Sequence, residues 1–138
     1  MRRTAWIWMA VVGVVLVGAG YIVVQAIRVG DDAERQTMAM QYLRMACVEY
    51  IRVRHGWPRS WEDLASVEPG FGHVEIPRDL EWVGPRVRMN FGAKLEEIAR
   101  ETPQTFSGFG PSAKAYYDYK VAYEDVIEAA KSGAGTRD

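Results

Sequence analysis

The sequence predicts an α+β fold: an N-terminal transmembrane helix continuing into a long amphipathic helix, packed on a small antiparallel sheet, with a C-terminal helix. Three observations carry that prediction. Residues Ala5–Ile27 read AWIWMAVVGVVLVGAGYIVVQAI, with no charge and one amide, Gln25. Residues 33–55 repeat apolar side chains at helical spacing. Residues 73–92 alternate apolar and polar side chains between turn signals, as short strands do.

A helix over residues 5–27 rises about 34 Å, enough to cross a hydrocarbon core of about 30 Å. Arg2 and Arg3 precede it, Trp6 and Trp8 stand where an interfacial belt is expected, and Arg28, Asp31, Asp32 and Glu34 follow. Because cytoplasmic flanks carry the excess of Lys and Arg, residues 1–4 are expected in the cytoplasm and residues 28–131 outside it, as an extracytoplasmic or periplasmic domain on the cell (inner) membrane. A cleaved signal peptide is the rival, since Val24, Gln25 and Ala26 loosely fit a cleavage site, but its apolar region runs about 7–15 residues. Gly13 and Gly20 are seven residues apart with Val17 between them, a candidate packing face for another membrane helix.

Past the membrane, Gly30 offers a bend or stop and Asp31 or Asp32 a cap for a new start. Met40, Leu43, Cys47, Tyr50 and Ile51 then form one stripe, the expected core-facing side of helix 33–55. A looser row of Met38, Tyr42, Met45 and Val48 widens it to suit packing against a sheet. Arg52, Arg54 and His55 complement the end of the helix dipole, Gly56 is expected at C′ and Pro58 enforces the stop. Ser60 with Asp63 reads as a capping box for a short helix ending near Ser66, with Trp57 and Trp61 as core side chains.

Strands are expected around Val74–Ile76, Leu80–Trp82 and Arg86–Phe91, then a helix over 93–101 and a Gly/Ser/Thr-rich loop over 102–110. The last helix is expected over 111–131, with Pro111 at its first position and Gly133 as its end. The alternative is a strand to Lys120 followed by a shorter helix. Residues 132–138 read as a disordered tail.

Composition narrows the function. The single cysteine, Cys47, excludes an internal disulfide framework. Residues 1–60 carry eight Arg against four acids, and residues 61–138 carry nine Lys/Arg against fourteen acids, so no concentrated basic face for nucleic acid is expected. Cys47 sits mid-stripe as a small hydrophobe, and His55 and His73 lack metal spacing with Glu62, Asp63 or Glu75. Glu96–Glu97 and Glu124–Asp125 point about 100° apart on helices, which suits solvated faces rather than acid–base pairs. No catalytic, cofactor or metal residues emerge, and a non-enzymatic protein without a cofactor is expected.

The order of parts resembles a type IV pilin or type II secretion pseudopilin. The likeness is carried by two helical patterns from Ala5 to His55, followed by the string His55-Gly56-Trp57-Pro58-Arg59-Ser60-Trp61-Glu62-Asp63-Leu64. The resemblance spans roughly residues 5–92 and implies a long helix on a small antiparallel sheet, within an envelope or secretion assembly. The family's peptidase site (Gly followed by Phe-Thr-Leu-x-Glu) has no counterpart here, and Ala5–Ile27 holds no acidic residue. The expected partners are the lipid bilayer and other membrane or envelope proteins, or further copies of the chain. An accessory single-span subunit of a larger membrane complex is the alternative, and a membrane-tethered enzyme the third reading.

Overall fold

The computed structural model describes residues 2–68 and 80–135; of residues 2–8, 10 and 80 only the backbone is described. The elements in order are α1 (Arg2–Arg54), α2 (Trp61–Ala65), α3 (Leu80–Val83), a 3₁₀ turn (Gly84–Arg86), β1 (Val87–Met89), α4 (Leu95–Ile98), β2 (Phe109–Pro111) and α5 (Lys120–Ala134). They make an α+β chain of two compact units, Met1–Glu34 and Arg35–Asp138.

In the first unit the helix is apolar and bare. An 18-residue window of mean hydropathy 2.0 has no share buried inside the chain. By length and composition this is one helix able to cross a membrane. Trp6 and Trp8 belong to it, although their side chains lie outside the described set. The break expected at Gly30 does not occur: α1 passes through Gly30, Asp31 and Asp32 without interruption, so neither aspartate caps a new helix. A glycine in a helix interior costs about 1 kcal/mol relative to alanine, but it removes no backbone hydrogen bond, and a continuous ladder outweighs that cost.

The second unit is organised on the last five turns of α1. Met40, Leu43, Cys47 and Ile51 are fully buried there, joined by Ala39, Tyr42 and Ala46. Their core includes Trp57, Leu64, Val83, Val87, Leu95, Ile98, Phe109, Val126 and Ala130 from the other elements. Tyr50, expected among the inward residues, is only half-buried. At ten residues past Met40 it has drifted to the edge of the stripe, because a straight 3.6-residue helix does not keep a strict seven-residue spacing.

The end of α1 differs from expectation by one residue. His55, not Gly56, takes the left-handed conformation (φ 51°), and its N–H donates to the Ile51 carbonyl at 2.8 Å. That bond is the single C′-to-C3 contact of an αL cap. The next helix forms as expected. Ser60 caps α2, its hydroxyl accepting from the Asp63 N–H at 3.3 Å, while the Asp63 carboxylate accepts from the Arg59 N–H at 2.8 Å.

Further along, the strand expected at Leu80–Trp82 is instead helix α3, and that expected at Val74–Ile76 lies outside the described residues. The Leu80, Trp82 alternation covers only three residues, too few to separate a period of 2 from one of 3.6. Within Arg86–Phe91 the strand is real but short. It pairs antiparallel with β2 in the register Val87↔Pro111, Arg88↔Gly110, Met89↔Phe109. Bonds from the Ser112 N–H to the Arg86 carbonyl (3.0 Å) and from the Asn90 N–H to the Gly108 carbonyl (2.8 Å) flank the ladder. Hydrogen-bonded pairs therefore alternate through Arg88↔Gly110, and Val87↔Pro111 is a pair that needs no N–H. A proline fits at that point, and for this reason Pro111 ends a strand rather than starting a helix.

The helix expected over 93–101 is the shorter α4, and the one expected over 111–131 runs Lys120–Ala134 instead. Residues 112–119 form neither strand nor helix; Asp118 then accepts from the Lys120 N–H at 3.1 Å, and α5 begins. Ala122, Val126, Ile127 and Ala130 face inward as their spacing predicts, while Ala115, counted in the same stripe, is exposed. Gly133 does not stop the helix. It is buried where an added Cβ would meet Ile51 Cγ2 at 2.9 Å, so it serves close approach to α1. Residues Ser132–Ala134 thus belong to α5 rather than a tail; 136–138 are outside the described residues.

Candidate functional site

On the membrane helix, the residues singled out for packing are uncovered. Gly13, Val17 and Gly20 are exposed, and a Cβ built on either glycine meets nothing within 4 Å. Among the described residues no contact calls for a glycine at those places. Gln25, the one amide of the run, donates from Nε2 to the Tyr21 hydroxyl at 2.9 Å, so its polarity is met on the same helix.

In the second unit the turn after α1 is a joint. Trp57 is buried and its indole Nε1 donates to the Asn90 carbonyl at 2.8 Å, tying the turn to the end of β1. Gly108 comes up under that ring: an added Cβ would stand 2.7 Å from Trp57 Cη2 and from Phe106 Cζ. Pro58 is fully buried beside Trp57, and Trp61 meets Phe91 edge-on with centroids 5.2 Å apart. Ser60 and Gly56 are partly exposed, the first as a cap and the second in the wall of a cleft.

The reactive residue types are likewise engaged. Burial pushes the Cys47 thiol far above its ordinary range, so no thiolate is on offer. Asp125 pairs with Arg44 at 3.0 Å and Glu97 with Lys94 at 3.4 Å. Glu49 is held below the usual carboxylate range by its hydrogen bond to Arg52, and Asp118 by Lys120. Among the described residues no group of three His, Cys, Asp or Glu side chains stands close enough to hold a metal. His73 and Glu75 lie outside them.

One polar residue escaped the reading of the sequence. Gln36 is 5% exposed and works as a hub: Nε2 donates to the Lys114 carbonyl at 3.1 Å, while Oε1 accepts from the Tyr119 hydroxyl at 3.0 Å and the Tyr116 N–H at 3.3 Å. It fastens the irregular stretch 112–119 to α1. Its signal was present, for Gln36 lies four residues before Met40 on the buried stripe, and an amide there must find partners.

Among the clefts that open on this unit, two larger ones lie away from the hub. One, of about 560 Å³, is lined by Tyr50, Arg54, Trp57, Arg59, Phe91 and Lys94 among others. The other, of about 360 Å³, lies over Phe106, Phe109 and Tyr123 beside Arg88. There Phe106 stacks on Tyr123 at 4.6 Å and meets Phe109 edge-on at 5.0 Å. Neither holds a nucleophile with a base beside it. Compared with protein families, curated proteins and solved structures, the chain matches none.

Proposed function

We propose that this chain is a single-pass membrane protein that acts through protein contacts rather than by catalysis. The observation that carries the reading is a bare apolar helix joined in sequence to a unit with its own closed core. The helix gives anchorage, and the uncovered Gly13, Val17 and Gly20 surface gives a place where a second helix fits closely. Orientation follows from Arg2 and Arg3 against the acidic flank Asp31, Asp32 and Glu34, with the N-terminus in the cytoplasm and residues 28–131 outside the inner membrane. The most concrete form is a pilin-like subunit or accessory factor of an envelope or secretion assembly. It rests on one long helix followed by the Gly56-Trp57-Pro58 turn, a capped short helix and a small antiparallel sheet.

A second reading, an accessory subunit held in a larger complex by its membrane helix, is favoured by that same bare glycine surface. Co-purification after mild solubilisation tests both. Gly13→Leu with Gly20→Leu should insert normally yet recover less partner, because the added bulk pushes a neighbouring helix away. A head-mediated assembly should instead keep its partner in that variant and lose it as salt is raised, since charged surface contacts are screened. If the wild-type chain recovers no protein at all, association is the wrong reading and a membrane-tethered enzyme takes its place.

A further inference from the structure

The 560 Å³ cleft has an uneven distribution of charge. It opens at the end of α1, where Gly56 and Trp57 face the segment Phe91–Glu96. Three cations line it, Arg54, Arg59 and Lys94, against one carboxylate, Glu96. Elsewhere on this unit Arg44 pairs with Asp125, Arg52 with Glu49 and Lys120 with Asp118. Arg54 and Arg59 have no ion pair among the described residues, and the Lys94–Glu97 pair is exposed on both sides, a contact worth little in water.

Asp63, whose carboxylate accepts from the Arg59 N–H at 2.8 Å, is not among the lining residues. The cleft is also held in shape. Trp57 is fixed by its bond to the Asn90 carbonyl, and Gly92 N–H donates to the Asn90 side chain at 3.2 Å. A concave wall of set geometry with two planar guanidinium forks and one ammonium suits oxygen anions, which guanidinium binds through paired N–H donors.

We propose that this cleft binds a small organic anion carrying two or more carboxylate or phosphate groups. Arg54 and Arg59 supply the fork donors and Lys94 a point charge. The cleft volume is that of an ordinary small-ligand site. The inference is independent of the membrane partner, since none of the lining residues belongs to the membrane helix segment 5–27.

The test is calorimetric titration of the full chain in a non-ionic detergent, with citrate as the carboxylate probe and pyrophosphate as the phosphate probe, at ionic strength fixed with sodium chloride. Saturable binding of at least one probe is expected, and which one binds tells the two chemistries apart. Arg54→Ala with Arg59→Ala should weaken it about tenfold or more, because two charge-assisted contacts go. Arg88→Ala, outside the cleft, should leave it unchanged. Both arginines are exposed, so an unaltered circular dichroism melt of the double variant shows that folding is intact. No saturable heat with either probe, or equal affinity in the double variant, overturns the proposal.

Discussion

His55 is the one non-glycine residue among those described that takes a positive φ, and it does so to close α1. A left-handed residue with a Cβ costs roughly 1–2 kcal/mol, which glycine avoids. His55→Gly should therefore be more stable than His55→Ala by about 1 kcal/mol in urea unfolding of the full chain in detergent; equal midpoints would mean that the backbone there is relaxed. Cys47 makes a different kind of prediction, through protons. Its folded-state thiol is raised above its unfolded value, so its contribution is complete below the ordinary thiol range near 8.5 and is lost as pH rises beyond it. The loss is about 1.4 kcal/mol per pH unit once the unfolded thiol ionises. The stability gap between wild type and Cys47→Ala should narrow between pH 8 and pH 10, whereas a constant gap would place the thiol in contact with water. The place of Gln36 on the buried stripe calls for polar partners without naming them. Gln36→Leu leaves the buried Tyr119 hydroxyl and the Tyr116 N–H without their acceptor and should cost about 2 kcal/mol or more, with the loss read in the same unfolding experiment.

At the level of elements, what could be read in advance was what local chemistry decides. The stripe Met40, Leu43, Cys47, Ile51 is buried as its spacing requires, and Ser60 caps α2 as its type requires. What could not be read was decided by pairing at a distance. β2 is three residues long and includes a proline; only its register with β1 makes it a strand. The start of α5 was misplaced because Tyr119 and Ala115 extend the apolar spacing upstream, while Asp118 and the Gln36 hub hold 112–119 out of the helix. Glycines at contact points were equally hidden. Gly108→Ala should cost about 1–3 kcal/mol, because the new Cβ falls against two aromatic rings that cannot swing aside in a packed core. Gly30→Ala, open on all sides, should be neutral or stabilising in the helix. The same contrast separates neighbours on α1. Leu43→Ala should cost about 2–5 kcal/mol, and Arg44→Ala, which removes a half-exposed ion pair, about 1 kcal/mol or less.

At the scale of the whole chain, residues 5–27 read as a membrane segment because lipid imposes a single compositional rule. Among the described residues one helix is long and apolar enough to cross a membrane, and none of its 18-residue apolar window is buried. The candidate sites were less legible: no cluster of reactive side chains announces one, and the cationic cleft is assembled from Arg54, Arg59 and Lys94, which have no mutual spacing in sequence. The account stands on anchorage with the N-terminus inside, and the buried, silent Cys47 allows that to be measured with a single introduced thiol. In intact cells producing the full chain, a membrane-impermeant maleimide should label Ser132→Cys and leave Thr4→Cys unlabelled until the membrane is opened. Labelling of Thr4→Cys in intact cells, with Ser132→Cys protected, would contradict the account.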